Sequence, residues 1–172
     1  GGDKKNYLEN MIIIFDFDYT LFDTANFRKK FARVLGLSVK EFNKNYHKHF
    51  KSKGLNYNLK NHLAILKREL RDEFKSNTEK GVNNFLGAIN KFLFPGVKKE
   101  LARLKKNKHK LILLTYGDIE WQKEKIKRIK IKNYFDKIIF VDKDKRHALD
   151  FLKKKEKDVF IVNDNAEELV AM

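Results

Sequence analysis

The chain contains no cysteine, so disulfides, thiolate zinc sites and cysteine nucleophiles are excluded from its chemistry. It also lacks any long apolar run. The longest, Met11-Ile12-Ile13-Ile14-Phe15 and Leu111-Ile112-Leu113-Leu114, fall far short of the roughly 20 residues that a membrane-spanning helix requires. The opening Gly1-Gly2-Asp3-Lys4-Lys5 has none of the apolar stretch of a secretory signal, which makes a cytoplasmic protein without a membrane segment the expectation. Internal repeats and low-complexity linkers are missing too. What the chain has in excess is positive charge: 39 Lys+Arg against 23 Asp+Glu give a formal charge of +16 over 172 residues. With 42% hydrophobic and 13% aromatic residues it still carries enough apolar material for a core, which argues against a charged disordered tail. This length suits one domain, or a core domain with an insertion.

Four short runs, at residues 11–15, 111–114, 138–141 and 159–162, are continuous rather than alternating and rich in β-branched residues. They read as buried strands of a parallel sheet. Between the last three lie segments of helical length, about 118–131 and 144–155, so strand and helix alternate and the fold class is α/β. The long interval between the first two runs offers helical stripes and no convincing strand. Phe27, Phe31, Val34 and Leu35 share one helical face; Ser38-Val39-Lys40-Glu41 has the form of a capping box before Phe42, Tyr46 and Phe50. Leu59, Leu63, Leu66, Leu70 and Phe74 make a third stripe, and Val82, Phe85, Leu86 and Ile89 a fourth. Phe94-Pro95-Gly96 then breaks the chain before a helix carrying Val97, Leu101 and Leu104.

In an open α/β sheet ligands bind beyond the carboxyl ends of the strands. The four runs lead into Asp16-Phe17-Asp18-Tyr19-Thr20, Thr115-Tyr116-Gly117-Asp118, Asp142-Lys143-Asp144-Lys145 and Asn163-Asp164-Asn165. Acidic residues after strands are often only caps or loop residues. Four polar strand ends together point instead to a site, because converging carboxylates repel one another and invite a divalent cation with hard oxygen ligands, Mg²⁺ foremost. A nearby lysine would balance charge and hold an anionic substrate.

These residues resemble the signature of the haloacid dehalogenase superfamily: Asp16-Phe17-Asp18-Tyr19-Thr20-Leu21 matches its first motif, Thr115 the second, Lys145 the third and Asn163-Asp164 the fourth. The resemblance covers nearly the whole chain. It implies a parallel Rossmann-like core made of residues 1–23 and 94–172, with an all-helical cap at 24–93. It also implies a catalytic set of Asp16, Asp18, Thr115 and Lys145. Asp16 would be the nucleophile, forming an aspartyl-phosphate, and Asp18 the general acid and base. Mg²⁺ would be held by Asp16, the Asp18 backbone carbonyl and Asp164, with Glu168 or Glu167 as a further ligand. Thr115, Lys145 and the backbone around Tyr116 and Gly117 would bind phosphoryl oxygens. An aspartate at position 18 marks the phosphatase branch, because the dehalogenase branch lacks one there. The expected function is therefore a Mg²⁺-dependent phosphatase of a small phosphorylated metabolite; a phosphomutase, or a protein acting on nucleotides or nucleic acid, is the alternative.

Some residues depart from the pattern. Tyr19 and Tyr116 stand where the family commonly has small residues, and packing on the sheet edge is expected of both. Lys143 competes with Lys145, which is preferred for its position at the start of a helix. His47, His49 and His62 have no zinc-site spacing, so surface or packing roles are expected, and Trp121 reads as core. Arg28, Lys29 and Arg33 read as a solvated face. Relatives of this type continue past the position of Met172 with another helix and strand, so an edge of the sheet is expected to be absent. The basic runs at 105–110 and 153–157 fit solvated helix ends better than a nucleic-acid surface, since no recognised binding motif accompanies them.

Overall fold

The computed structural model describes residues 11–70, 78–155 and 159–165. Phe74, Glu167, Glu168 and the end of the 153–157 basic run lie outside these residues. The apolar runs form four parallel strands, β1 (Ile12–Phe15), β2 (Lys110–Tyr116), β3 (Lys137–Val141) and β4 (Val159–Val162), in the order β3-β2-β1-β4. β1 is therefore central, with Ile12 in register with Lys110 on one side and Val159 on the other. Helices α5 (Val97–Lys106) and α6 (Ile119–Ile129) flank β2 in the chain, and α7 (Arg146–Lys155) joins β3 to β4.

Side chains alternate between the two faces of the sheet, as the pleat requires. Ile13, Phe15, Leu111 and Leu113 join Leu101, Leu104, Ile126 and Ile129 in the larger core. Ile12, Ile14, Ile112 and Leu114 face the other way, toward Leu149 of α7. Continuous apolar runs are the consequence of covering both faces. The burial expected of all four runs holds for β1 and the interior of β2 but not at the edges: β3 is half-buried, and on β4 Phe160 is 53% and Val162 41% exposed. Phe160 and Val162 pair in register with Ile13 and Phe15, so they lie on the face where no described element extends over β4.

Between β1 and β2 the described residues contain no strand. They form α1 (Thr24–Val34), α2 (Val39–His49), α3 (Leu59–Leu70) and α4 (Thr78–Gly87), with a 3-10 turn at Ile89–Phe92. Asp23 caps α1, its side chain accepting from Asn26 N–H at 3.0 Å, and the Ser38/Glu41 capping box opens α2. Phenylalanines join this helical unit to the sheet layer. Phe27 lies 5.2 to 5.4 Å, ring centroid to centroid, from Phe22, Phe31, Phe85 and Phe92, and 6.3 Å from Trp121 of α6. A buried ring of this kind contributes roughly 1.5–3 kcal/mol by burial alone. The chain leaves and rejoins the sheet layer side by side: Asp23 N–H donates to the Phe92 carbonyl at 2.7 Å and Phe94 N–H to the Leu21 carbonyl at 3.0 Å.

Candidate active site

Strand order reverses around β1: the chain runs outward through β2 and β3, then crosses to β4 on the other side. At the carboxyl ends of these strands lies a cavity of about 420 Å³. Asp16, Asp18, Gly117, Lys145 and Asp164 line it together with Tyr19, Arg28, Tyr57, Tyr116, Trp121 and Lys125. Asp16 follows β1 directly, and its N–H donates to the Val162 carbonyl of β4 at 2.9 Å, so the first residue past the strand is still held by the sheet. Lys145, at the start of α7, brings Nζ to 2.9 Å from Asp16 Oδ1, with both side chains 10% exposed. Lys143 is exposed and does not line the cavity. Thr20 links the loops after β1 and β4: its Oγ1 accepts from Asp164 N–H at 3.0 Å and lies 3.4 Å from Asp164 Oδ1.

Thr115 ends the buried part of β2, and its Oγ1 is buried without a hydrogen-bond partner among the described residues. Leaving such an oxygen unsatisfied is costly. Gly117 adopts φ +140, and a Cβ there would meet Gln122 Nε2 at 2.9 Å. Its N–H donates to the Val141 carbonyl at 2.9 Å, so what Gly117 offers the site is space rather than a donor. Asp118 is a helix cap, accepting from Trp121 N–H at 2.8 Å.

Asp18 sits in a clamp that motif spacing does not predict. Lys125 Nζ lies 2.8 and 2.9 Å from its two oxygens, Gln122 Nε2 donates at 2.8 Å and Thr24 Oγ1 at 2.7 Å. The Lys125 ammonium also lies 5.0 Å from the centroid of the Phe17 ring and 5.5 Å from that of Phe22, so its own burial is offset by a carboxylate and aromatic faces. One signal was available: Gln122, Lys125 and Ile129 recur on one face of α6, and two polar residues inside an apolar stripe mark a buried polar function.

The two carboxyls respond oppositely. Burial pushes Asp16 up to about 6, against the pull of Lys145 and a hydrogen bond from the Phe17 backbone. Burial acts to raise Asp18 as well, but the Lys125 charge and the hydrogen bonds from Lys125, Thr24 and Gln122 outweigh it. Asp18 is held below the usual carboxylate range.

Three expectations change. Tyr19 and Tyr116 do not pack on the sheet edge; they are 44% and 45% exposed and line the cavity. Tyr19 adopts φ +63, a left-handed conformation that costs a bulky residue roughly 1–2 kcal/mol. The loop forces it there, because Tyr19 N–H must reach the Phe22 carbonyl at 2.8 Å while Leu21 and Phe22 N–H both return to the Phe17 carbonyl at 3.0 Å. Arg28 is no solvated residue. Its guanidinium stacks 5.0 Å over Tyr46, and Nη1 lies 3.5 Å from the Tyr19 hydroxyl, whereas Lys29 and Arg33 are exposed. Trp121 belongs to the core as expected, and also lines the cavity.

His62, fully buried, has a packing role. It accepts at Nδ1 from the Tyr57 hydroxyl at 3.0 Å and donates from Nε2 to Asn45 Oδ1 at 2.8 Å, and burial lowers it to about 4, so it is neutral. This chain fixes the Tyr57 ring in the cavity wall.

Asp16 and Asp164 bring carboxylate oxygens to the cavity, the ligand chemistry that a hard cation takes. No group of three His, Cys, Asp or Glu side chains among the described residues stands close enough to hold an ion unaided. Thr115 is buried beneath the cavity's lining residues and is not one of them.

The fold and the site define an α/β protein with a carboxylate–lysine centre at the switch point of a parallel sheet. The chain belongs to the haloacid dehalogenase-like hydrolases, whose family model matches residues 13–171. No curated protein in the comparison matches it. Among solved structures it is similar to a proposed haloacid dehalogenase-like hydrolase of Burkholderia xenovorans LB400, with a TM-score of 0.65 and 20% identity over 95% of this chain and 76% of that one. It is similar to a dehalogenase, with a TM-score of 0.60 and 19% identity over 93% and 79% of the two chains. It also resembles a proposed hydrolase of Bacillus subtilis in a magnesium-bound form, with a TM-score of 0.54 and 15% identity over 89% and 77%. At these identities the likeness concerns the fold. No helix among the described residues is long and apolar enough to cross a membrane.

Proposed function

We propose that the protein is a Mg²⁺-dependent phosphatase that cleaves a phosphate monoester through an aspartyl-phosphate at Asp16. The observation that carries this reading is the clamped Asp18, two residues beyond the buried Asp16 in the same cavity. Dehalogenation needs a nucleophilic carboxylate but no leaving-group acid of this kind, so a second carboxyl with its own lysine, glutamine and threonine favours phosphoryl transfer.

Asp16 attacks phosphorus as the ester oxygen departs, and water then cleaves the acyl phosphate, so that one difficult displacement becomes two easier ones. Lys145, beside Asp16 at 2.9 Å, draws the phosphoryl group in, and the Thr115 hydroxyl donates to one of its oxygens, gaining the partner it lacks. Asp18, ionised at rest, is suited to accept the proton of the attacking water. In the first step Asp18 relays a proton to the departing ester oxygen, which leaves as the alcohol. Asp16, the Asp18 carbonyl and Asp164 would hold Mg²⁺; the Bacillus subtilis structure of similar fold is itself bound to magnesium. The ion would offset the repulsion between carboxylate and phosphate. The helices between residues 24 and 92 act as a cap that keeps water from the cavity.

The test is phosphate release from an aryl phosphate and a panel of phosphorylated metabolites, with Mg²⁺ or with EDTA. Release that needs Mg²⁺ and stops with EDTA supports the reading. No release from any of them by the folded protein with Mg²⁺ would sink it.

A further inference from the structure

We propose that Tyr19 and Tyr116 are specificity residues whose exposed rings take the planar aromatic group of the substrate, so that the substrate is a phosphate monoester carrying an aromatic ring such as a nucleobase. This rests on the phosphatase reading for the position of the phosphate and deepens it by naming the other end of the molecule.

Several observations converge. Both tyrosines line the cavity that contains Asp16, and both leave nearly half of their surface exposed. Tyr19 does so from a left-handed backbone conformation that a smaller residue would occupy with less strain. Its ring is also held in place: the hydroxyl meets Arg28, whose guanidinium is itself stacked on Tyr46. Trp121 and Tyr57 continue the aromatic lining, and Tyr57 is fixed from behind by His62. A volume of about 420 Å³ lies in the range of small-ligand sites.

The polar groups favour the same reading. A polyhydroxylated ligand needs many directed partners, yet the cavity's polar side chains are largely committed. Asp118 caps α6, Thr24 and Lys125 hold Asp18, and Asn56 donates to the Asp142 carbonyl at 2.7 Å. An aromatic ring asks for aromatic and apolar surface instead, which Tyr19, Tyr116, Tyr57 and Trp121 supply in the lining. Stacking tolerates differences among rings, so this selects a class of ligand and not a single base.

Adenosine 5′-monophosphate and ribose 5-phosphate share the phosphate, the sugar and the leaving oxygen, and differ by the ring. Calorimetric titration of both into the protein in EDTA measures binding apart from turnover. Trp121, the single tryptophan of the chain, reports occupancy of the cavity by fluorescence. We expect the nucleotide to bind at least about tenfold tighter, with quenching of Trp121, and Tyr116→Leu to shrink that ratio about five- to tenfold. Tyr19→Leu should shrink it similarly. Tyr116 ends a strand in ordinary backbone, so its variant serves if the strained position does not tolerate leucine.

Equal affinities, or a ratio that neither variant moves, would overturn the proposal. Phosphate release measured in parallel with Mg²⁺ separates the two readings. Selective binding without hydrolysis of any substrate defeats the phosphatase and leaves the aromatic site standing. Hydrolysis of both compounds with equal binding does the reverse.

Discussion

Two carboxylate–lysine pairs occupy one cavity two residues apart, and they are built to opposite ends. Asp16 and Lys145 meet at 2.9 Å in a setting where burial dominates, and the acid is pushed up to about 6. Asp18 and Lys125 meet through both carboxylate oxygens, with Gln122 and Thr24 adding donors, and the acid is held down despite its burial. The same two residue types thus yield one carboxyl with spare affinity for a cation or an electrophile and one that is satisfied by its surroundings. Each lysine pulls its carboxyl down, and Asp18 has the hydrogen bonds from Thr24 and Gln122 besides.

The sharpest way to break this comparison is to neutralise each acid in turn. Asp16→Asn should reduce phosphate release to background, whereas Asp18→Asn should lower it by about 100- to 10,000-fold, the range of a general acid or base. Equal, small losses in steady-state assays would show that neither has the role proposed.

Removing the lysines comes next. Lys125→Met removes the charge that offsets the burial of Asp18 and should cost about 3–5 kcal/mol in urea unfolding at neutral pH. Lys145→Met should cost less, because Asp16 can take up a proton. A reversed order would contradict the contrast.

The pH dependence of stability sharpens it further, with the two acids giving opposite signs. The folded-state value of Asp16 lies above its unfolded one, so its contribution is fully present below the ordinary value of 3.8 and is lost as pH rises through about 6. Relative to Asp16→Asn, the metal-free parent should therefore lose about 3 kcal/mol between pH 3.5 and 7, whatever constant offset the unpaired Lys145 adds. Asp18 is depressed, so its contribution is present above the ordinary carboxylate value and is lost as pH falls. Relative to Asp18→Asn the parent should gain stability over the same rise. Parallel unfolding curves for the three proteins would refute both assignments.

The smallest effect concerns the space around the clamp. In Gly117→Ala the new Cβ would press on Gln122 Nε2, costing about 1–3 kcal/mol through backbone strain and a disturbed donor. Thermal unfolding measures this, and an unchanged midpoint would mean that Gln122 moves freely.

Much of this architecture is legible in the sequence, for identifiable reasons. Continuous β-branched runs mark strands covered on both faces, and the residues just after them fall at one edge of the sheet by geometry alone. Asp16, Thr115 and Asp164 can be found that way, and Lys145 can be placed by its position before α7. The edge strands break the rule because the pattern of β4 does not tell which face stays uncovered. Lys125 is hidden for another reason. Its partner lies 107 positions away in the chain, so its place beside Gln122 in an apolar stripe can mark it as buried but not tell what it pairs with until α6 is docked. Tyr19 and Tyr116 mislead because exposure depends on what the helical unit leaves open above them.

The central position of β1 bears on how the molecule is made. Among the described strands it comes first in the chain and is the last to be fully paired, since its neighbours are residues 110–113 on one side and 159–162 on the other. Helices α1 to α4 form by contacts near in sequence and can be in place well before that. The long-range closure around β1 is the slow step of such a topology. Asp16, anchored to Val162 through its N–H, acquires its surroundings only when that closure is complete, so a chain interrupted before β4 carries the helices but not the reactive centre.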